Sequence, residues 1–276
     1  MPKTLSVLTL NCWNVSPPYD ERMAVLRRTI ADLQPDLVGL QEIVVRPDGM
    51  HQGREILDGL GYDLEFRPAF SWDDDASFAG PEGRDYGFGN VAASRLPIVA
   101  RDWIRLPGSE SGEIRSATAI VVARPDGELP FVSTHLNWRF DHGYVRERQV
   151  VALRDFAWNV AGDRYLPPVV VGDFNADPDA SEIRYLRGWQ ALGGRSTFFE
   201  DAWAAAGDGG PGLTWDNRNG FAHLVDEPDR RIDYIFVGLD HDRGRVTVED
   251  CRVVMNEARN GVYPSDHFGV MAWLRL

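Results

Sequence analysis

The sequence predicts an α/β protein in which two mixed β-sheets pack together and carry helices on their outer faces. Three observations predict it. Short apolar runs rich in Val, Leu and Ile recur along the whole chain, as at residues 5–10, 37–40 and 169–171, and read as buried strands. Segments with apolar residues at helical spacing lie among these runs and not in a separate block. Neighbouring runs are also joined by hairpin signals such as Asp126-Gly127, so the sheets are expected to be mixed. No linker and no fixed-period repeat divides the chain, and a single domain over residues 1–276 is expected.

The elements follow in order. Residues 5–10 are read as a strand ending in Asn11-Cys12-Trp13-Asn14. Met23, Leu26, Ile30 and Leu33 then keep helical spacing until Gln34-Pro35 stops the helix. Residues 37–40 form a second strand ending in Gln41-Glu42, residues 53–60 a short helix closed by Gly61, and residues 62–66 a strand. Residues 71–88 are Gly-rich, acidic and aromatic, and a loop of that length is usually functional or disordered. Residues 90–94 resume a strand that ends at Arg95-Leu96-Pro97-Ile98. Residues 117–123 and 131–134 are the two arms of a hairpin, the second ending in His135-Leu136-Asn137. The longest helix spans 145–160, with Val150, Leu153, Ala157 and Val160 on one face.

After Pro167-Pro168 the strand 169–171 stops on Gly172 and presents Asp173 and Asn175. Alternation along an extended chain would point these two side chains the same way. A helix over 181–186, capped by Asp179 or Ser181, follows. Short strands at 213–215, 231–237 and 251–255 and the run from Ser265-Asp266-His267 to the end complete the series.

Composition sets limits. Apolar residues make up 43% of 276, enough for a full core. Acids outnumber bases 42 to 29, and the net charge of -13 opposes non-specific attraction to nucleic acid, although a local basic groove stays compatible with it. Cys12 and Cys251 make neither a disulfide framework nor a zinc set, and two buried thiols are expected. The first ten residues lack the apolar core and cleavage site of a secretion signal. No stretch approaches the roughly 20 apolar residues of a membrane helix. A cytoplasmic protein is expected, with no protein partner evident.

Six strand ends carry polar side chains: Asn11; Glu42; His135 with Asn137; Asp173 with Asn175; Asp233; and Asp266 with His267. Each alone has an ordinary reading. Asn11 can cap a turn, Glu42 can be a surface acid and His135 a satisfied core histidine. Asp173 can close a turn with the Asn175 backbone, Asp233 can pair with Arg230 or Arg231, and Asp266-His267 can cap a loop. Together they put six costly dry polar ends near one sheet edge, which points to a shared site. Asn, Asp and Glu oxygens suit Mg²⁺ or Mn²⁺, and soft sulfur ligands are absent. Two histidines without nearby cysteines suit phosphate contact or proton transfer. Asp233 is placed to orient His267 and hold it charged. No Walker lysine motif, Gly-x-Ser-x-Gly elbow or dinucleotide fingerprint occurs.

Seven motifs in order resemble the endonuclease/exonuclease/phosphatase superfamily, the group of DNase-like nucleases, neutral sphingomyelinases, deadenylases and inositol polyphosphate phosphatases. They are Leu8-Thr9-Leu10-Asn11, Leu40-Gln41-Glu42, Gly89-Asn90-Val91-Ala92-Ala93-Ser94-Arg95, Ser133-Thr134-His135-Leu136-Asn137, Gly172-Asp173-Phe174-Asn175, Arg231-Ile232-Asp233-Tyr234-Ile235 and Ser265-Asp266-His267. The resemblance implies a four-layer α/β sandwich and a Mg²⁺-dependent (or Mn²⁺-dependent) phosphoester hydrolase. It implies Glu42 as the main metal ligand with Asn11 and Asp266 beside it. Asp173 would orient or deprotonate the attacking water, helped by Asn175. His267, held by Asp233, would bind the phosphoryl oxygen, and His135 would stabilise transition-state charge.

His135 stands where abasic-site endonucleases carry Tyr, which places the chain nearer to DNase-like and sphingomyelinase-like members. Thr214-Trp215-Asp216-Asn217-Arg218 only faintly echoes the inositol phosphatase motif. The expected substrate contacts are Asn90, Asn137, Trp138, Arg139, Trp215 and Arg218, with aromatics stacking on the substrate or packing the loops, and Arg231 as a further phosphate contact. The leading expectation is a phosphodiesterase acting on a small or lipid-derived substrate, with long duplex DNA a poor substrate. A DNA or RNA nuclease is the rival within enzymes, and a catalytically idle phosphate-binding module the rival outside them.

Overall fold

Residues 4–70, 87–108 and 112–276 are described by this computed structural model. The expected 71–88 loop, with its Trp72 and its Asp73-Asp74-Asp75 run, lies outside the described residues apart from Gly87 and Phe88.

One sheet is built from β1 (Thr4–Asn11), β2 (Leu37–Val45), β3 (Asp63–Phe70), β4 (Gly87–Ser94), β11 (Thr247–Val254) and β12 (Gly269–Arg275), in the order β11-β12-β1-β2-β4-β3. The other contains β5 (Ile98–Arg105), β6 (Ser116–Val122), β7 (Leu129–His135), β8 (Val169–Asp173), β9 (Phe199–Asp201) and β10 (Asp233–Gly238), in the order β5-β6-β7-β8-β10-β9. Both are mixed: β1–β2 and β7–β8 are parallel, and the remaining pairs are antiparallel.

Strand alternation distributes the apolar residues into three interlayer spaces. Leu5 and Val7 of β1, Val169 and Val171 of β8, and Ile235 and Val237 of β10 meet between the sheets. Leu8 and Leu10 of β1 instead join Met23, Leu26 and Ile30 of α1 (Tyr19–Leu33) and Ile56 of α2 (Gln52–Leu57). Val170 and Phe236 face Val150, Leu153 and Ala157 of α3 (Gly143–Ala161) and Ile183 of α4 (Ser181–Leu186). The layers are therefore helix, sheet, sheet, helix, as expected. Gly39 marks the close approach of the sheets: a Cβ there would stand 2.4 Å from Cγ2 of Val171. Both cysteines are buried and free. No helix among the described residues is long and apolar enough to cross a membrane.

Several elements differ from the expectations. The strand read over 90–94 ends at Ser94 as expected, but Ile98, read as part of its stop, instead opens β5. β5 is an edge strand whose residues are largely exposed or half-buried, so its sequence carries polar residues without apolar alternation. No strand forms at 213–215; Trp215 makes isolated bridges to Arg230 and His267 instead. Neither Asp179 nor Ser181 caps α4, because the cap position falls on Ala180 and no side chain accepts there. The three-residue β9 and α5 (Ala202–Ala206) are too short to leave a periodic signal.

Candidate active site

Strand register assembles the site. Parallel β7 and β8 set His135 opposite Asp173, and antiparallel β8 and β10 set Asp173 opposite Asp233. In the facing sheet the parallel pairing of β1 and β2 ends at Asn11 and Gln41, while β2, expected to stop there, runs on to Val45 against β4. A register shift between Leu40 and Ile43 against β4, with Glu42 at φ 57°, re-aims the Glu42 side chain. Gly172 lets β8 lie against β7, since at its φ of 151° a Cβ would stand 1.9 Å from the Thr134 carbonyl oxygen.

Asp173 is the hub. Its Oδ1 accepts the Asn175 backbone N–H at 2.8 Å, closing a tight turn. Asn175 accordingly has φ 51°, so the alternation argument from an extended chain fails there. The turn still carries Asn175 back into the cleft, where its amide lies 3.0 Å from Nε2 of His135 and donates to the Leu136 carbonyl at 3.2 Å. Oδ2 of Asp173 accepts from Asn11 Nδ2 at 2.9 Å and lies 3.3 Å from His135 Nε2 and 3.8 Å from His267 Nε2. Asp233, wholly buried, lies 2.9 Å from Nδ1 of His267 through Oδ2, and the Thr214 hydroxyl accepts its backbone N–H. Oδ1 of Asp233 has no hydrogen-bond partner. The indole of Trp215 packs edge-on against His267 at 5.0 Å.

The two histidines are set to different charge states, one cationic and one neutral. Burial alone would lower the pKa of His267, but Asp233 and then Asp173 outweigh it and raise it to about 10. Burial, and then the Arg115 guanidinium, hold His135 well below the ordinary histidine range. Burial and then Asp233 push Asp173 up to about 6, against the opposing pull of His267. Asp266 is raised to about 7, chiefly by burial and with Glu42 adding to it. Glu42 takes Asn14 Nδ2 at 2.9 Å and Asn11 Nδ2 at 3.3 Å, so the amide of Asn11 ties it to Asp173. Arg22 of α1 is fully buried and donates to the carbonyls of Cys12, Trp13, Asn14, Ser16 and Pro264. It fastens the loop after β1 to the segment carrying Asp266.

These groups surround a cleft of about 370 Å³. Of the residues singled out in the sequence, Asn11, Glu42, His135, Trp138, Asp173, Asn175, Trp215, Asp266 and His267 line it, with Asp233 behind His267. The others stand elsewhere. Asn90 is buried and donates to the Ser116 carbonyl at 2.9 Å. Asn137 is buried and donates to Glu113. Arg139 stacks on the exposed Trp138 at 5.6 Å, Arg218 pairs with Asp216 at 2.6 Å, and Arg231 pairs with Asp201 at 2.9 Å. Trp13, Asn14, Arg115, Glu227, Arg230 and Ile232 line the cleft without having been singled out for it. They sit in irregular segments or beside strand ends, where neither periodicity nor motif marks them.

The Endonuclease/Exonuclease/phosphatase family model matches residues 8–267. Nocturnin of Xenopus laevis is 26% identical over 266 residues, 92% of this chain, which spans 64% of that protein's length. Among solved structures, the endonuclease/exonuclease/phosphatase from Bacteroides vulgatus superposes with a TM-score of 0.75 at 19% identity, covering 99% of both chains. D. rerio TDP2 complexed with single strand DNA product superposes with a TM-score of 0.73 at 19% identity, covering all of both chains.

Proposed function

The chain belongs to the endonuclease/exonuclease/phosphatase family, and we propose that it hydrolyses a phosphodiester in a small or lipid-derived substrate. The observation that carries this reading is the convergence on Asp173. One carboxylate oxygen lies within 3.8 Å of the Nε2 atoms of two histidines, one charged and one neutral. In this reading Asp173 orients the attacking water and accepts its proton as oxygen bonds to phosphorus and the ester P–O bond breaks. His267 donates from Nε2 to a phosphoryl oxygen while Asp233 holds Nδ1. Asn11 keeps Asp173 and Glu42 in register through one amide.

A divalent cation fits the Glu42 side of the cleft. Two acids, Glu42 and Asp266, act on each other there, and the nearby Arg22 spends its donors on carbonyls. Asp266 has its side-chain hydrogen bond from the neutral Ser265 hydroxyl, and every donor atom of the set is oxygen. Mg²⁺ or Mn²⁺ held by Glu42 and Asp266, with Asn11 beside them, would supply neutralisation of charge on the phosphate. Asp173, Asp233 and His267 also bring ligand atoms within 4.8 Å of one another, but Nδ1 of His267 is already spent on Oδ2 of Asp233.

The scale of the cleft and its charges support a small substrate. Arg115 and Arg230 face the cleft, and each is already paired with an acid, Glu113 and Glu227. The exposed Trp138 offers a stacking surface at the rim. A single-stranded nucleic acid is the second reading, supported by the DNA product in the TDP2 structure and by that aromatic rim. A panel of small diesters, monoesters, sphingomyelin, oligonucleotides and plasmid, assayed with Mg²⁺ and Mn²⁺, tests both. Turnover of monoesters alone, abolished in Asp173→Ala, would overturn the diesterase reading.

A further inference from the structure

The geometry points to Arg115 as a positioning residue that fixes His135 in a single neutral form, Nδ1 bare and its one proton on Nε2, the nitrogen that lies nearest Asp173. This rests on the reading that Asp173 and His135 act at the scissile phosphate. Arg115 is buried, and its Nη1 lies 2.8 Å from Nδ1 of His135. A guanidinium carries donors only, so Nδ1 must accept and must be bare. The one ring proton then sits on Nε2, 3.3 Å from Oδ2 of Asp173. The Asn175 amide, 3.0 Å from Nε2, must then present its oxygen to the ring and give up the 3.2 Å bond to the Leu136 carbonyl, because an amide can turn either end whereas a guanidinium can only donate. A second proton would set N–H against N–H beside a cation.

The guanidinium is itself held. Its Nε donates to Oε1 of Glu113 at 2.5 Å, and the other oxygen of Glu113 accepts from Asn137. Glu113 and Arg115 enter β6, whereas His135 and Asn137 leave its neighbour β7, so two adjacent strands clamp the ring. The consequence is a division of labour about Asp173. His267 brings a charge to the phosphate side, and His135 brings a neutral donor. Two cations would hold Asp173 as a poor base; one cation and one neutral donor leave it able to take a proton from water.

The test reads the ring directly. In wild-type protein labelled with ¹⁵N-histidine, two-bond ¹H–¹⁵N spectra at neutral pH should show His135 with Nε2 protonated and Nδ1 bare. Loss of those signals in His135→Gln assigns them. A proton on Nδ1, or on both nitrogens, overturns the inference, and this measurement needs no variant of Arg115 to fold. Arg115→Met and the gentler Glu113→Gln should each mix the tautomers. In both, kcat should fall by about tenfold or more while KM shifts less than about threefold. Unchanged kinetics, or a raised KM at wild-type kcat, would also overturn it, the latter by making Arg115 a substrate contact. A wild-type protein inactive on every phosphoester would remove the proposed reaction while leaving the tautomer result to stand or fall separately.

Discussion

Asp173 and Asp233 stand directly opposite each other in the antiparallel pairing of β8 and β10, and His267 bridges them through its two ring nitrogens. Two buried carboxylates in register would repel each other, and a charged imidazole between them relieves that repulsion.

Asp233→Asn keeps the shape and removes one charge. It should lower kcat by at least about tenfold, a barrier change of about 1.4 kcal/mol, while largely sparing Mn²⁺ affinity. Adding His267→Ala should cost little more, because the pair acts as a unit. The raised pKa of His267, about 10, also has a stability consequence. Its contribution is complete below the unfolded value of about 6.5 and is lost as pH rises through about 10. Urea unfolding of wild type and Asp233→Asn at pH 6 and above pH 10 checks the sign: their difference should shrink at the higher pH. Additive kinetic losses would show that the two side chains work apart.

In the proposed cation site, Asp266 should make metal affinity depend on pH. Asp266 titrates near 7 in the folded chain, against about 3.9 unfolded, so without a cation its ionisation costs stability as pH rises through that range. A divalent cation must displace the proton, so its affinity should fall as pH drops through about 7. Thermal melts with and without Mn²⁺ should show a larger gain in Tm at pH 8 than at pH 5.5. Asp266→Asn should shrink the gain and flatten its pH dependence. An equal gain at both pH values in wild type would place the ion elsewhere.

How much of this was legible in the sequence depends on what leaves a local trace. A polar residue beside a buried apolar run is a local trace, and Asn11, Glu42, His135, Asp173, Asp233 and Asp266 were visible for that reason, although Glu42 proves to sit at an irregularity inside β2 and Asp266 ahead of β12. Periodicity says which face a residue takes, not which strand lies beside it. The register that sets Asp173 between His135 and Asp233 is therefore a property of the folded sheet. Asn175 misled the alternation argument because the Asp173 side chain ends the strand by closing a turn. Arg139 and Arg218 were singled out for their charge, yet Arg139 stacks on Trp138 and Arg218 is spent on Asp216. Arg115 carried no signal, since it enters β6 from an irregular segment and gains meaning only from the ring across the ladder.

Gly172 ties stability to the site. At its φ of 151° a Cβ would meet the Thr134 carbonyl oxygen at 1.9 Å, and that oxygen belongs to the neighbouring strand. Backbone, unlike a flexible side chain, cannot swing aside. Gly172→Ala should destabilise the fold by about 2–4 kcal/mol, read from chemical denaturation. The residue lies next to Asp173, so activity at a temperature where the variant stays folded should also fall. A variant of wild-type stability and rate would mean that β7 and β8 separate there without cost.

Duplex DNA should be a poor substrate. The chain carries a net charge of -13, and Arg115 and Arg230, which face the cleft, are paired with acids. Binding to a duplex grows with the number of phosphates neutralised, and its salt dependence grows in proportion. Repulsion from the rest of the protein acts over roughly 8 Å at physiological salt. A small diester presents few charges and feels mainly the site itself. Its kcat/KM should therefore change little between low salt and about 150 mM, whereas plasmid nicking should be slow at low salt and slower at about 150 mM. Both activities should vanish in Asp173→Ala if they belong to this site. Rapid plasmid nicking at about 150 mM salt, lost in that variant, would assign the cleft to nucleic acid and set aside the small-substrate reading.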